Sequence, residues 1–353
     1  MLNLLKPSTP VKLRALFFIF LGLSLILPGC KKEVPPVEEP PVLDGGVYIL
    51  SEGNYQWGNG RADYLRFADN VYSEDVFNTI NQRPLGDVVQ SMKVFNGRGY
   101  IVVNNSGKIE VVDMAGFTSV GTITGLSSPR YMLPVSSTKA YVSDLYSNSV
   151  TIVDLSSLQV TGNIPVKGST EEMLMVGETV YVTNTRTSFL YRINATTNTL
   201  TDSIAIGFAA NSIVEDQGGK LWVMCAGDQP QSLNAGLYCI DPTTQQVVHH
   251  FDLGVYLQIW DKLRINGSKN KLYYLNSGVW CMDIAATTLP SSALIAQDGR
   301  LFHGIGIDPS LGNIYVSDAV DYVQHGKVFR YTPDGTLIDS LLAGIIPSEF
   351  IFY

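Results

Sequence analysis

Residues 180–207, VYVTNTRTSFLYRINATTNTLTDSIAIG, hold three short runs of strand-forming residues separated by turns. VYVTN, FLYRIN and TDSIAIG each have the length and β-branched or aromatic content of a strand. No helical period runs through the unit, which excludes a helical repeat. Asn194, at the end of the second run, starts a turn because its side chain can bond the backbone two residues on.

The first run recurs as VYILSEG (47–53), YIVVNN (100–105), AYVSDLY (140–146), LWVMCAG (221–227), LYYLNSG (272–278) and IYVSDAV (314–320). With Tyr48, Ile101, Tyr141, Tyr181, Trp222, Tyr273 and Tyr315 taken as equivalent, the spacings are 53, 40, 40, 41, 51 and 42 residues. The second run recurs as KIEVVD (108–113), SVTIVD (149–154), GLYCID (236–241) and GVWCMD (278–283). A period of about forty residues with several short strands per unit is the signature of propeller blades. The first unit begins at VYIL with no strand before it, and the chain ends on IPSEFIFY (346–353), a strand with no blade after it. Pairing Glu349–Tyr353 with the first unit would close the ring and remove an exposed edge. The expected fold is all-β: a seven-bladed β-propeller over residues 45–353, its C-terminal strand closing the first blade.

Residues 1–14 carry only positive charge, and 15–27 (ALFFIFLGLSLIL) are an apolar run too short to span a bilayer comfortably. That order is a secretory signal, here over residues 1–29. Leu27-Pro28-Gly29-Cys30 resembles a bacterial lipobox, with Cys30 as the acylated first mature residue. Residues 31–44 (KKEVPPVEEPPVLD) are Pro- and Glu-rich, the composition of a semi-rigid spacer, so 30–44 is read as lipidated cysteine plus spacer. The chain is acidic: removing Lys6, Lys12 and Arg14 with the signal, and no acid, takes the formal charge from −8 to −11. Without a basic stripe, binding to a phosphate backbone is not expected.

Cys225, Cys239 and Cys281 read as small buried hydrophobes rather than as a disulfide framework. His249, His250, His303 and His325 show no metal-ligand spacing, and no metal or cofactor is expected. Asp202-Ser203-Ile204 and Asp339-Ser340-Leu341 resemble O-glycosylation sites of Bacteroidetes-type exported proteins. No Ser–His–Asp set, close carboxylate pair or phosphate loop is recognisable, so the protein reads as a non-enzyme. His303 with Asp298 and Arg300 can be drawn as a base with helpers, but a polar rim is the plainer reading.

In a propeller, second-to-third-strand loops and outer-to-inner connections share one face. The former are long in blade one (Glu52 to Arg61), five (Ala226 to Ala235) and seven (Ala319 to Gly326), and long loops on a rigid scaffold often carry function. They offer Asn54, Tyr55, Gln56 and Trp57; Asp228, Gln229, Pro230 and Gln231; and Tyr322, Val323, Gln324 and His325. The connections add Arg83, Arg130, Tyr131, Phe208, Asn211, Tyr256, Trp260, Phe302 and His303, and Arg186 completes the candidate ligand-binding set. Flat aromatic faces with amides and guanidinium groups between them suit a large ligand rich in amides or hydroxyls.

Tyr181-Val182-Thr183-Asn184 resembles the name motif of the YVTN-type β-propeller repeat family, with degenerate copies at Tyr141-Val142-Ser143-Asp144 and Tyr315-Val316-Ser317-Asp318. The resemblance covers residues 46–353 and concerns the fold. LSEGNYQWGNGRADYL (50–65), with the lipobox and its CKKE start, is similar to Bacteroidetes propeller lipoproteins that capture vitamin B12 and other corrinoids at the cell surface. That resemblance implies corrinoid capture, hand-over to a TonB-dependent outer-membrane transporter, and a monomeric or transporter-associated protein attached to the outer membrane only by its lipid. The alternatives from other classes are a glycan- or protein-binding surface scaffold and a propeller enzyme such as a lactonase.

Overall fold

The structure, a computed structural model, describes residues 43–353. The signal segment, Cys30 and nearly all of the spacer lie outside the described residues. Among the described residues no helix is long and apolar enough to cross a membrane.

Seven four-stranded antiparallel sheets follow one another along the chain. Blade one holds β1 (Gly46–Ser51), β2 (Arg61–Arg66) and β3 (Tyr72–Ser73), and a short helix, α1 (Val76–Asn81), leads onward. Blade two is β4 (Val89–Phe95), β5 (Arg98–Val103), β6 (Lys108–Asp113) and β7 (Thr118–Ile123); blade three is β8 (Pro129–Pro134), β9 (Lys139–Asp144), β10 (Ser149–Asp154) and β11 (Gln159–Pro165). Blade four is β12 (Thr170–Val176), β13 (Thr179–Asn184), β14 (Phe189–Asn194) and β15 (Thr199–Ala205); blade five is β16 (Ala210–Glu215), β17 (Leu221–Cys225), β18 (Gly236–Asp241) and β19 (Gln246–Asp252). Blade six is β20 (Leu263–Ile265), β21 (Lys271–Leu275), β22 (Gly278–Asp283) and β23 (Ile295–Ala296). Blade seven is β24 (Phe302–Ile307), β25 (Ile314–Asp318), β26 (His325–Tyr331) and β27 (Leu337–Ile345).

The last strand, β28 (Pro347–Phe352), returns to blade one as its innermost strand. It pairs Phe352 with Val47, Ile351 with Tyr48, Phe350 with Ile49 and Glu349 with Leu50, so the expected closure is present. Gly304 and Gly306 allow β24 to approach it: a Cβ on Gly306 would lie 2.6 Å from Phe350 Cβ, and one on Gly304 would meet the Ser348 carbonyl.

Second strands are sandwiched between neighbouring blades on both faces, so they read as nearly unbroken apolar runs rather than as alternating ones. The core is accordingly a set of inter-blade layers. Tyr181 packs with Leu221 of blade five, Trp222 with Leu272 of blade six, and Tyr315 with Val47 and Ile49 of blade one. In blade two the residue facing the next blade is Tyr100, beside Ala140 and Val142, whereas Ile101 faces back to Tyr48 and Leu50. Successive strand residues point to opposite faces. Tyr100 is therefore the equivalent of Tyr181, which corrects the spacings of 53 and 40 to 52 and 41.

Cys225 and Cys239 are buried, Cys281 is half-buried, and all three thiols are free. Burial pushes the Cys239 thiol up to about 12. Ser203 and Ser340 both lie on outermost strands, half-buried and exposed respectively.

Candidate functional site

The second-to-third-strand loops of blades one, five and seven are the long ones, and two of them are joined. The Asn54 amide donates to the Tyr322 carbonyl at 2.8 Å, tying the blade-one loop to the blade-seven loop. The blade-five loop instead binds the blade-five-to-six connection, where the Leu257 and Ala235 amides meet the Ala226 and Val255 carbonyls at 2.9 and 2.8 Å. On this face Tyr55, Trp57, Tyr146, Tyr256, Trp260 and Tyr322 are all exposed, Trp57 to 78% and Tyr55 to 65%. These uncovered aromatic rings make that face the candidate interaction surface.

At the centre of that face the channel opens into a cavity of about 240 Å³ lined by Glu52, Gln90, Asn104, Trp260, His303 and Ser348, with Arg130, Tyr131, Lys262 and Glu349 below. The charged residues come from inner strands and close the channel as a network. Arg130 donates to both Glu171 oxygens at 2.9 and 2.7 Å and also binds Gln90, while Lys262 reaches Glu171 at 3.2 Å. Arg264 bridges Glu172 at 3.0 Å and Glu349 at 3.1 and 3.0 Å. Three cations thus face three carboxylates, all partly or fully out of water, and removing one partner from such a pair costs about 3–5 kcal/mol. Burial alone would raise the Glu171 carboxyl, but Arg130 and Lys262 hold it below the usual carboxylate range. Glu349 shifts upward, because burial outweighs Arg264.

The cavity wall continues into an aromatic clasp. His303, only 6% exposed, sets Nε2 at 3.1 Å from Glu52 Oε1. Its ring centroid lies 5.8 Å from that of Trp260 and 5.8 Å, edge-on, from that of Tyr322. Beside them Asp261 accepts the Gln258 amide at 2.8 Å, and burial pushes its carboxyl up to about 6. A second cavity of about 360 Å³ adjoins, lined by Trp260, Asp261, Gln297, Phe302 and Tyr322. Three buried polar atoms carried by residues of the central cavity, Tyr131 Oη, His303 Nδ1 and Ser348 Oγ, have no hydrogen-bond partner in the protein. Leaving such a group unsatisfied costs about 1–3 kcal/mol.

The residues proposed from sequence therefore divide. Arg130, Tyr131, Trp260 and His303 line the central cavity, and Trp260, Phe302 and Tyr322 line its neighbour. Tyr55, Gln56 and Trp57 lie exposed on the blade-one loop, and Tyr256 lies exposed on the blade-five-to-six connection. Arg83 is drawn away, donating to Glu110 at 2.6 and 3.2 Å over the Phe77 ring. Arg186 is exposed on the blade-four loop, its Nε 3.1 Å from Ser169 Oγ. Gln229 and Gln231 are exposed away from the central cavity, Gln231 bonded to Asp228, and Gln324 donates to Asp321 at 2.7 Å. Phe208 borders a separate groove with Tyr238 and His250. Asn211 is buried and its amide holds the Asp261 and Ile259 carbonyls at 2.7 and 3.2 Å. Of the drawn set, Asp298 and Arg300 form an ion pair at 3.8 Å, but His303 does not join them. Arg300 stacks 4.6 Å from the Phe329 ring and donates to Tyr331 at 2.6 Å, while His303 turns to Glu52. Glu52, Gln90, Lys262 and Glu349 are cavity residues that sequence reasoning missed. Gln90 and Glu349 lie on the inner strands β4 and β28, Lys262 stands immediately before β20, and Glu52 opens the blade-one loop. Polar side chains at the starts of inner strands were the available signal for the first three.

No curated protein matches the chain. Among solved structures it is similar to a quinonprotein alcohol dehydrogenase-like protein of Bacteroides thetaiotaomicron, at 12% identity and TM-score 0.71, over 88% of this chain and 78% of that one. It is similar also to dihydro-heme d1 dehydrogenase NirN, at 9% identity and TM-score 0.59, over 89% and 76% of the two chains. The computationally designed Ika8 protein gives 10% identity and TM-score 0.57, over 88% and 92%. Likeness at this identity concerns the fold, which a dehydrogenase and a designed protein share. Residues 45–328 match the family described as Domain of unknown function (DUF5074), and the chain belongs to that family.

Proposed function

We propose that the protein is a lipid-anchored, cell-surface binding protein that captures a corrinoid on its long-loop face and passes it to a TonB-dependent outer-membrane transporter. One observation carries the reading: the exposed rings of Tyr55, Trp57, Tyr256, Trp260 and Tyr322 share a face with a polar cavity at the channel mouth. A corrinoid is wide, partly apolar and fringed with amide arms, so it would cover the rings while its edge meets polar groups. The cavity alone is far too small to enclose it, and binding would occur across the face. Capture without chemistry is the activity proposed, with anchoring through Cys30 and the 31–44 spacer holding the ring off the membrane.

The experiment is gel filtration of the mature protein with cyanocobalamin. A coloured complex eluting with the protein supports the reading, and a colourless protein peak at micromolar concentrations sinks it.

A further inference from the structure

We propose that the cleft above the short turn of blade six binds a methylated ammonium group, with Asp261 as its counter-ion and the rings of Trp260 and Tyr322 as its walls. This goes beyond corrinoid capture, although both rings belong to the same face. The cleft exists because of loop lengths. β21 ends at Leu275 and β22 begins at Gly278, so blade six has only a tight turn there, whereas the blade-seven loop beside it is long. Trp260 comes from the blade-five-to-six connection and Tyr322 from the blade-seven loop. Both are 36% exposed, and both pack on the His303 ring at 5.8 Å, which fixes their positions. Together with Phe302 and Asp261 they line the cavity of about 360 Å³.

Charge decides the class of ligand. One Asp261 oxygen accepts the Gln258 amide at 2.8 Å; the other has no partner among the described residues and is reached by solvent. The basic groups that Asp261 feels are His303 and Lys262, and both are directed elsewhere, to Glu52 at 3.1 Å and to Glu171 at 3.2 Å. Arg300, the cation beside Phe302, is held by Asp298 at 3.8 Å and Tyr331 at 2.6 Å. The Tyr322 hydroxyl feels the carboxylates of Asp261 and Glu52 and no cation. A half-buried carboxylate without an ion-pair partner, set beside uncovered aromatic rings in a cleft, suits an organic cation. A hard metal ion would need several oxygen ligands, which one carboxylate does not supply. Burial pushes the Asp261 carboxyl up to about 6, so its unpaired charge is a standing cost that a bound cation would relieve.

The test is magnetic saturation transfer from the mature protein to the N-methyl protons of choline at pH 8, where Asp261 is ionised. Saturable transfer is expected at millimolar choline, and none to its carbon isostere, in which a tert-butyl group replaces the trimethylammonium. Asp261→Asn keeps the size of the side chain and an oxygen for the Gln258 amide, and should weaken choline by about tenfold or more. Trp260→Leu should weaken it about fivefold to thirtyfold, the worth of a desolvated contact between a cation and a ring. No transfer to choline from the parent, equal transfer to the uncharged isostere, or undiminished transfer from Asp261→Asn each overturns the site. Because no corrinoid is present, these outcomes are separate from cyanocobalamin retention, and either reading can fail without the other.

Discussion

Trp57 is the side chain on which the rim can be tested with least ambiguity. At 78% exposure it has almost no core to support, so Trp57→Ala should change stability by no more than about 0.5 kcal/mol. If the ring contacts ligand, the same change should weaken cyanocobalamin binding by about 2 kcal/mol, or roughly thirtyfold, in a calorimetric titration. An equal loss of stability would place Trp57 in the core instead. Asp261 offers a different test, through pH. Burial raises its carboxyl to about 6 from the ordinary 3.8, so the folded state holds a proton that the unfolded state has released between those values. Stability from this group therefore falls as pH rises from about 4 to 6 and is flat above, at a cost on the order of 2 kcal/mol. Asp261→Asn, which keeps an oxygen for the Gln258 amide, should be more stable than the parent at pH 8 and equal to it near pH 4. Denaturant midpoints at the two pH values check this, and a difference independent of pH would refute it.

At the scale of elements, the inner strands carry the channel network. Glu171→Ala on β12 would leave Arg130 and Lys262 facing each other without their shared carboxylate. The expected loss is about 3–5 kcal/mol in chemical denaturation, with little effect on the exposed rim. The second strands were legible in the sequence because burial on both faces writes an unbroken apolar run such as VYVTN. Even so, equating Ile101 rather than Tyr100 with Tyr181 shows that a run without alternation does not reveal which side chain faces which neighbour. Short strands such as β3 and β23, two residues each, leave almost no pattern to read. The channel network was hidden for another reason. Its partners lie 41 residues apart for Arg130 and Glu171 and 92 apart for Arg264 and Glu172, and no local spacing encodes such pairs. The Arg83–Glu110 pair is hidden on the same ground, since nothing near Arg83 in sequence announces Glu110.

For the whole molecule, closure by β28 joins the last strand to the first blade, and Glu349 on that strand also anchors Arg264 across the channel. A chain ending at residue 346 would expose the β1 edge, lose Phe350 from the blade-seven-to-one layer and leave Arg264 with Glu172 alone. It should aggregate or fail to fold; a soluble monomer with the parent's unfolding midpoint would contradict the role given to closure. Closure also brings the loops of blades seven and one together, as the Asn54–Tyr322 bond shows, and so assembles the face to which capture is assigned. Equilibrium dialysis of cyanocobalamin against the mature protein and against a Trp57→Ala/Tyr322→Ala variant tests that assignment most directly. The expected result is one equivalent held by the parent at micromolar concentration and a large loss in the variant. No retention by the parent, or equal retention by both proteins, would contradict it.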